Sequence, residues 1–286
     1  MTKKLAVAVI HGMGKQEKSP NAGSDELSFS KDLHKQVRRV VGGDDFDQSV
    51  EWREIYWADI LQTRQSKYFN KIAGMTDFDS LRQFVMFNLS DAASYRKMPR
   101  TSSDQTYKKI HGRIDGVIKE LSMSVGPDAP LVIIAHSLGG HIMSNYVYDM
   151  QKAIKDGRKG ATTAMRRMQT VTRLFTFGCN IPVFVFAYPE SDVTPIDYPG
   201  SGLPSNQRTK PWWVNFYDRD DVLGFPLAQT SPDYKKLKTK NELADIEVNS
   251  GSILTAWNPI SHNLYWKDED IYRPIGLKIA SLISEN

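Results

Sequence analysis

Apolar residues follow two rhythms along this chain. Leu5 to Ile10, Leu131-Val132-Ile133-Ile134 and Val171 to Phe177 are compact runs, apolar or β-branched almost without interruption. A strand buried on both faces reads this way, because neither face has to meet water. Val50 to Trp57 and Trp212 to Tyr217 are aromatic and β-branched and predict two more strands, with Asp245 to Asn249 a short last one. The second rhythm recurs every three to four residues. Asp25 to Val41 carries Leu27, Leu33, Val37 and Val40/Val41 on roughly one face and is stopped by Gly42-Gly43. Ser103 to Met123 predicts a long amphipathic helix, capped at Ser103 and ended by Gly126-Pro127, and Ile271 to Ile283 a last one.

Strands alternating with helices predict an α/β fold: one domain over residues 1–286, with a mostly parallel central sheet and helices on both faces. Two segments stand apart. Ile60 to Arg100 is mostly helical in pattern, broken at Gly74 and Pro99, with a stripe of Phe78, Leu81, Phe84, Val85 and Leu89. It reads equally as a helix packed on the core or as part of a helical cap over a pocket. Ile181 to Lys210 holds five prolines, and loops this long inside a domain are usually functional or disordered. Residues 60–100 and 181–210 are therefore candidate cap or lid insertions.

Composition narrows the classes. In 286 residues, 40% are hydrophobic and 24% charged, an ordinary globular balance. The net charge of +4 is spread along the chain and too mild to argue for nucleic acid. The densest basic run, Lys235 to Lys240, reads as a solvated face, with peripheral contact to an anionic lipid surface as its functional alternative. A single cysteine, Cys179, excludes an intramolecular disulfide and fits a reducing compartment. Lys3-Lys4 is followed by only six apolar residues before His11, too few for a signal-peptide core, and a cytoplasmic location is expected.

The chemistry centres on Ala135-His136-Ser137-Leu138-Gly139-Gly140, which joins an apolar strand to a helical segment running to about Lys155. A serine on a tight strand-to-helix turn, among small residues, presents its hydroxyl beyond the sheet edge. The helix it opens aims N–H groups and a positive dipole end at any anion forming there. Ala135 replaces the first glycine of the usual G-x-S-x-G pattern and keeps that position small. A nucleophilic serine needs a base, an acid to orient the base, and oxyanion donors. Of six histidines, His136 projects away from the hydroxyl, His141 reads as structural, and His34 and His111 lie on helices. His11 ends the first strand and is suited to holding an oxyanion loop. His262, between the last strand and the last helix, remains as the base. For the acid, Asp221 precedes an apolar segment and is best placed to be drawn inward, with Asp220 and Asp218 as alternatives. Leu138 N–H is the first oxyanion donor. Met13 N–H, in His11-Gly12-Met13-Gly14, is the second, where Gly12 and Gly14 let backbone approach substrate. No H-E-x-x-H run or completed phosphate-binding loop competes, so neither metal nor cofactor is expected.

The H-G-x-G run after the first strand, the A-H-S-L-G-G turn, the strand-end Asp-Val and the late Ser-His-x-x-Tyr-Trp resemble the α/β-hydrolase superfamily, in its lipase and serine-esterase branch. That resemblance spans nearly the whole chain and implies an α/β-hydrolase fold. The implied reaction has His262, oriented by Asp221, deprotonate Ser137 for attack on an ester carbonyl. Met13 and Leu138 hold the oxyanion, and water then releases the acyl group. The implied substrate is a small-molecule or lipid ester. A thioesterase, amidase or acyltransferase would use the same serine, and a non-catalytic binding or scaffold protein could keep the same fold.

Overall fold

The computed structural model describes residues 3–13, 26–72, 74–75, 79–99, 105–158, 162–250 and 261–285, with side chains throughout except at 79–85 and 261–263. Six strands, β1 (Leu5–Ile10), β2 (Val50–Ile55), β3 (Leu131–His136), β4 (Val171–Phe177), β5 (Trp213–Asp218) and β6 (Leu243–Val248), form one sheet in the order β2-β1-β3-β4-β5-β6. Every pairing is parallel. Consequently the carboxyl ends of all six strands emerge along a single edge.

The helices among the described residues, in chain order, are α1 (Lys31–Val41), α2 (Gly43–Ser49), α3 (Asp59–Ile72), α4 (Asp79–Ser94), α5 (Thr106–Val125), α6 (Leu138–Lys155), α7 (Ile181–Val185), α8 (Pro232–Thr239) and α9 (Glu269–Ser284). They make two cores, one on each side of the sheet. Ala6, Ala8 and Ile10 of β1 face Ile110, Ile114 and Ile118 of α5 and Ile142 and Met143 of α6. The alternate residues Leu5, Val7 and Val9 face Leu33 and Val37 of α1 and Ile271, Ile275 and Ile279 of α9. Each such fully buried aliphatic side chain contributes about 1.5–3 kcal/mol. This two-sided burial is what writes β1 and β3 as unbroken apolar runs.

Several elements depart from the sequence expectations. Gly42-Gly43 does not simply stop a helix: Gly42, at φ 99°, ends α1, and α2 begins at the next residue with Asp44 and Asp45 in its first turn. Acidic residues there complement the helix dipole. The edge strand β6 begins at Leu243 and ends at Val248, ahead of the expected 245–249. Of the stripe expected along α4, Leu89 is 65% exposed whereas Phe87 is 1% exposed, so the inward face is set by Phe87; Phe78, Leu81, Phe84 and Val85 lie outside the described side chains. Segment 181–210 contains α7 and two 3-10 turns, Glu190–Asp192 and Ser205–Gln207. It buries Val193, Ile196 and Leu203 while Phe186 and Tyr188 stay exposed. The Lys235–Lys240 run falls mostly on α8, where Tyr234 and Leu237 pack inward and the lysines face outward. Among the described residues no helix is long and apolar enough to cross a membrane.

Candidate active site

Ser137 sits between β3 and α6 at φ 54° and ψ −126°. A non-glycine residue with positive φ is strained by roughly 1–3 kcal/mol and persists only where its surroundings fix it. Two contacts fix it here. Ser137 N–H donates to Phe177 O at the end of β4, at 3.0 Å. Gly12, just past β1, lies so close that a Cβ there would stand 2.4 Å from Ser137 Cβ and 3.0 Å from its Oγ. Only glycine allows the first and third strands to end this near each other. Ser137 Oγ is buried and has no hydrogen-bond partner among the described residues. Leu138 is the first residue of α6, and the N–H at that position has no acceptor within its own helix.

The turn after β1 is held by an aromatic histidine contact. His11 is buried and stacks on Trp57, with centroids 4.9 Å apart and planes at 11°. Its Nε2 accepts the Trp57 backbone N–H at 3.1 Å, so Nδ1 carries the proton and donates to Gly12 O at 2.8 Å. Burial pushes the His11 pKa down to about 4, which keeps the ring neutral and this pattern intact. In a planar trans peptide the N–H points opposite to the carbonyl. Tethering Gly12 O therefore sets the direction of Met13 N–H as well. Gly14 lies outside the described residues.

The three aspartates at and just after the end of β5 separate cleanly. Asp220 is exposed. Asp218 is buried, but its carboxylate accepts the backbone N–H groups of Asp220 at 2.8 Å and Ser250 at 2.7 Å, so it ties the ends of β5 and β6 together. Asp221 is buried and accepts Leu223 N–H at 2.9 Å on Oδ1 and the Tyr265 hydroxyl at 2.8 Å on Oδ2. His262 belongs to a 3-10 turn, Ser261–Lys267, and its side chain lies outside the described residues. Further along that turn, Trp266 packs edge-on against Phe177 (4.9 Å) and His136 (5.4 Å), which places the turn over the carboxyl ends of β3 and β4.

The other histidines have separate surroundings. His136 lies between Phe177 and Trp266. His34 meets Phe46 and Trp52. His111 bonds to Tyr95 at 2.9 Å and His141 stacks on Phe184; burial lowers both to about 4. Cys179 is buried after β4, and burial raises its thiol to about 12, as expected of a structural cysteine.

Two contributors were not anticipated from the sequence. Glu54, at the end of β2, accepts N–H and O–H bonds from both Ser28 and Ser30 at 2.6–3.0 Å. This clamp holds Phe29 edge-on to His11 at 4.9 Å and near Trp266 at 5.5 Å. The other is the Tyr265 hydroxyl: the residue stands in the Ser-His-x-x-Tyr-Trp run, but its bond to Asp221, like the Glu54 clamp, is a long-range pairing that the run does not announce.

An all-parallel sheet, a serine on a strained turn between β3 and α6, a glycine loop after β1 against that serine, and a buried carboxylate after β5 define an α/β-hydrolase fold. No protein-family model and no curated protein matches the sequence. Among solved structures, the chain is similar to a lipase/esterase from Lactobacillus plantarum, at 10% identity and TM-score 0.43 over 99% of this chain and 88% of that one. It is similar to an α/β serine hydrolase without lid from Xanthomonas campestris, at 11% identity and TM-score 0.37 over 98% and 79%. A third is carboxyl esterase 2 from Tuber melanosporum, at 10% identity and TM-score 0.43 over 99% and 78%. Likeness this distant carries no weight for activity; the fold stands on the strand order and the turn geometry.

Proposed function

We propose that this protein is a serine hydrolase that cleaves a carboxylic ester, of a small molecule or an acyl lipid, through an acyl-enzyme on Ser137. The observation that carries the reading is the strained, backbone-locked Ser137 at the carboxyl edge of the sheet, its hydroxyl without a hydrogen-bond partner among the described residues. Strain of this kind is retained where the surroundings over-determine it, and such sites cluster at catalytic centres. In the proposed reaction His262 takes the Ser137 proton while Asp221 holds the imidazole and balances its charge. Met13 and Leu138 N–H groups donate to the oxyanion, each such donor contributing about 3 kcal/mol. The His11 ring supports this by fixing the Gly12–Met13 peptide. Residues 60–100 and 181–210 would supply the walls that choose the acyl group.

The test is a series of p-nitrophenyl esters of increasing acyl length, assayed with the wild type, Ser137→Ala and His262→Ala, beside labelling by a fluorophosphonate probe. Turnover and labelling that vanish in Ser137→Ala, with turnover lost in His262→Ala, are expected. Ester cleavage that survives Ser137→Ala overturns the proposal. Failure of every ester together with absence of labelling also overturns it, in favour of a binding protein on a hydrolase fold.

A further inference from the structure

Tyr265 is part of the core on the α1/α9 side of the sheet, yet its hydroxyl is turned to the loop after β5. Its phenol is fully buried, donates to Asp221 Oδ2 at 2.8 Å, and accepts the backbone N–H of Asp218 at 3.2 Å. The ring packs between Phe177 and His136, at 5.8 and 6.1 Å, the residues that receive and precede Ser137. Gly224 closes the other side: a Cβ there would lie 2.5 Å from Asp221 Oδ2 and 3.1 Å from Tyr265 Oη. The carboxylate of Asp221 is thus held from both oxygens, by Leu223 N–H on its own loop and by Tyr265 from a segment 44 residues later. Tyr265 stands on the same short turn as His262. One side chain therefore links the backbone that carries the base to the carboxylate that orients it.

We propose that Tyr265 is a positioning residue of the hydrolase, fixing Asp221 relative to the His262 turn. This rests on the triad reading above. A carboxylate free to rotate about its side-chain bonds offers the imidazole an acceptor only part of the time; one tethered at Oδ2 offers it continuously, and preorganisation of this kind acts on the chemical step. Burial and the Asp221 charge raise the phenol's pKa far above its ordinary value, so it remains a donor throughout the working pH range. Tyr265 is fully buried and offers no surface to a bound acyl group, so removal of its hydroxyl should leave KM in place.

The experiment is a cycle of Tyr265→Phe, Asp221→Ala and the double variant, each read for kcat and KM with a p-nitrophenyl ester and for Tm. The Phe variant is expected to lose about 10- to 100-fold in kcat, the worth of one hydrogen bond to a charged group, with KM unchanged. In the Asp221→Ala background the same change should cost almost nothing, because the tether has lost its object. Should Tyr265→Phe fail to fold, Gly224→Ala keeps both side chains and crowds Asp221 Oδ2, and the same selective loss of kcat is expected. A kcat unaltered in the folded variant, or losses that multiply in the double variant, overturns the positioning role. Full activity in Asp221→Ala instead overturns the triad reading, a separate outcome that Ser137→Ala identifies independently.

Discussion

Gly12→Ala puts the close approach of β1 and β3 to a direct measurement. The added methyl would start 2.4 Å from Ser137 Cβ and 3.1 Å from His136 O, against an ordinary contact of at least 3.4 Å. Something must yield by roughly 1 Å. The obstacles are a backbone carbonyl and the Ser137 Cβ, which no rotation of the side chain can move, so relief has to come from backbone. Overpacking of this type costs about 1–3 kcal/mol, and in a domain of this size each kcal/mol lowers Tm by roughly 2–4 °C. Under the proposed reaction, displacement on the order of 1 Å at Ser137 or the Gly12–Met13 peptide should cost on the order of 100-fold in rate. The control is the same chemical change elsewhere. Gly116, exposed on α5, has nothing within 4 Å of its missing Cβ, and Gly116→Ala should stabilise by about 0.5–1 kcal/mol through helix propensity. Thermal unfolding of both variants, with the fluorophosphonate labelling rate of the folded protein, tests the sign and the size. If Gly12→Ala melts and labels like the wild type, the strand ends are not locked together as described.

Three further outcomes follow from the same geometry. Ser137→Gly should be more stable than Ser137→Ala by about 0.5–2 kcal/mol in urea unfolding, since glycine relieves the positive φ that alanine retains; equal stabilities would mean that the turn is unstrained. His11, His111 and His141 are each held near pKa 4 by burial, below the ordinary 6.5. The unfolded chain then binds the extra protons, so stability is full above pH 6.5 and falls by a few kcal/mol as pH drops towards and through 4. His111→Gln should flatten that fall in unfolding curves at pH 7 and 5. Iodoacetamide should leave Cys179 unmodified in the native protein and modify it readily in urea, because the thiol is buried and raised to about 12; native labelling at the rate of a free thiol would contradict that burial.

The parts readable from the sequence are those written by local constraints. Leu131 to Ile134 and Val171 to Phe177 announce strands because both faces are buried, and β4 runs over Val171–Phe177. The half-exposed edge strand β6 has the pattern of a surface segment, so its limits are not marked by hydrophobicity. The inward face of α4 turns on where Phe87, rather than Leu89, meets the core, and that depends on how the helix lies rather than on its period. At the site, Ser137 and the glycine loop are local motifs. Choosing among Asp218, Asp220 and Asp221 needs partners that are distant in sequence: Ser250 occupies Asp218, and Tyr265 holds Asp221. The clamp of Glu54 on Ser28 and Ser30 is invisible for the same reason.

The position of β1 in the sheet also governs how the chain must assemble. β1 is the first strand among the described residues and lies inside the sheet, one strand in from the β2 edge, where Ala6 pairs with Glu51 on one side and Leu131 on the other. Until β3 has been synthesised, β1 and β2 can form only a two-stranded parallel ribbon with apolar residues on both faces, a species with slow pairing and sticky edges. Helix α5, made between β2 and β3, packs on both β1 and β2 and covers the Ala6, Ala8 and Ile10 face, opposite the face that Leu33 and Val37 of α1 meet. Faults in Ala6, Ala8 or the inward isoleucines of α5 should therefore appear first as lost soluble yield during synthesis.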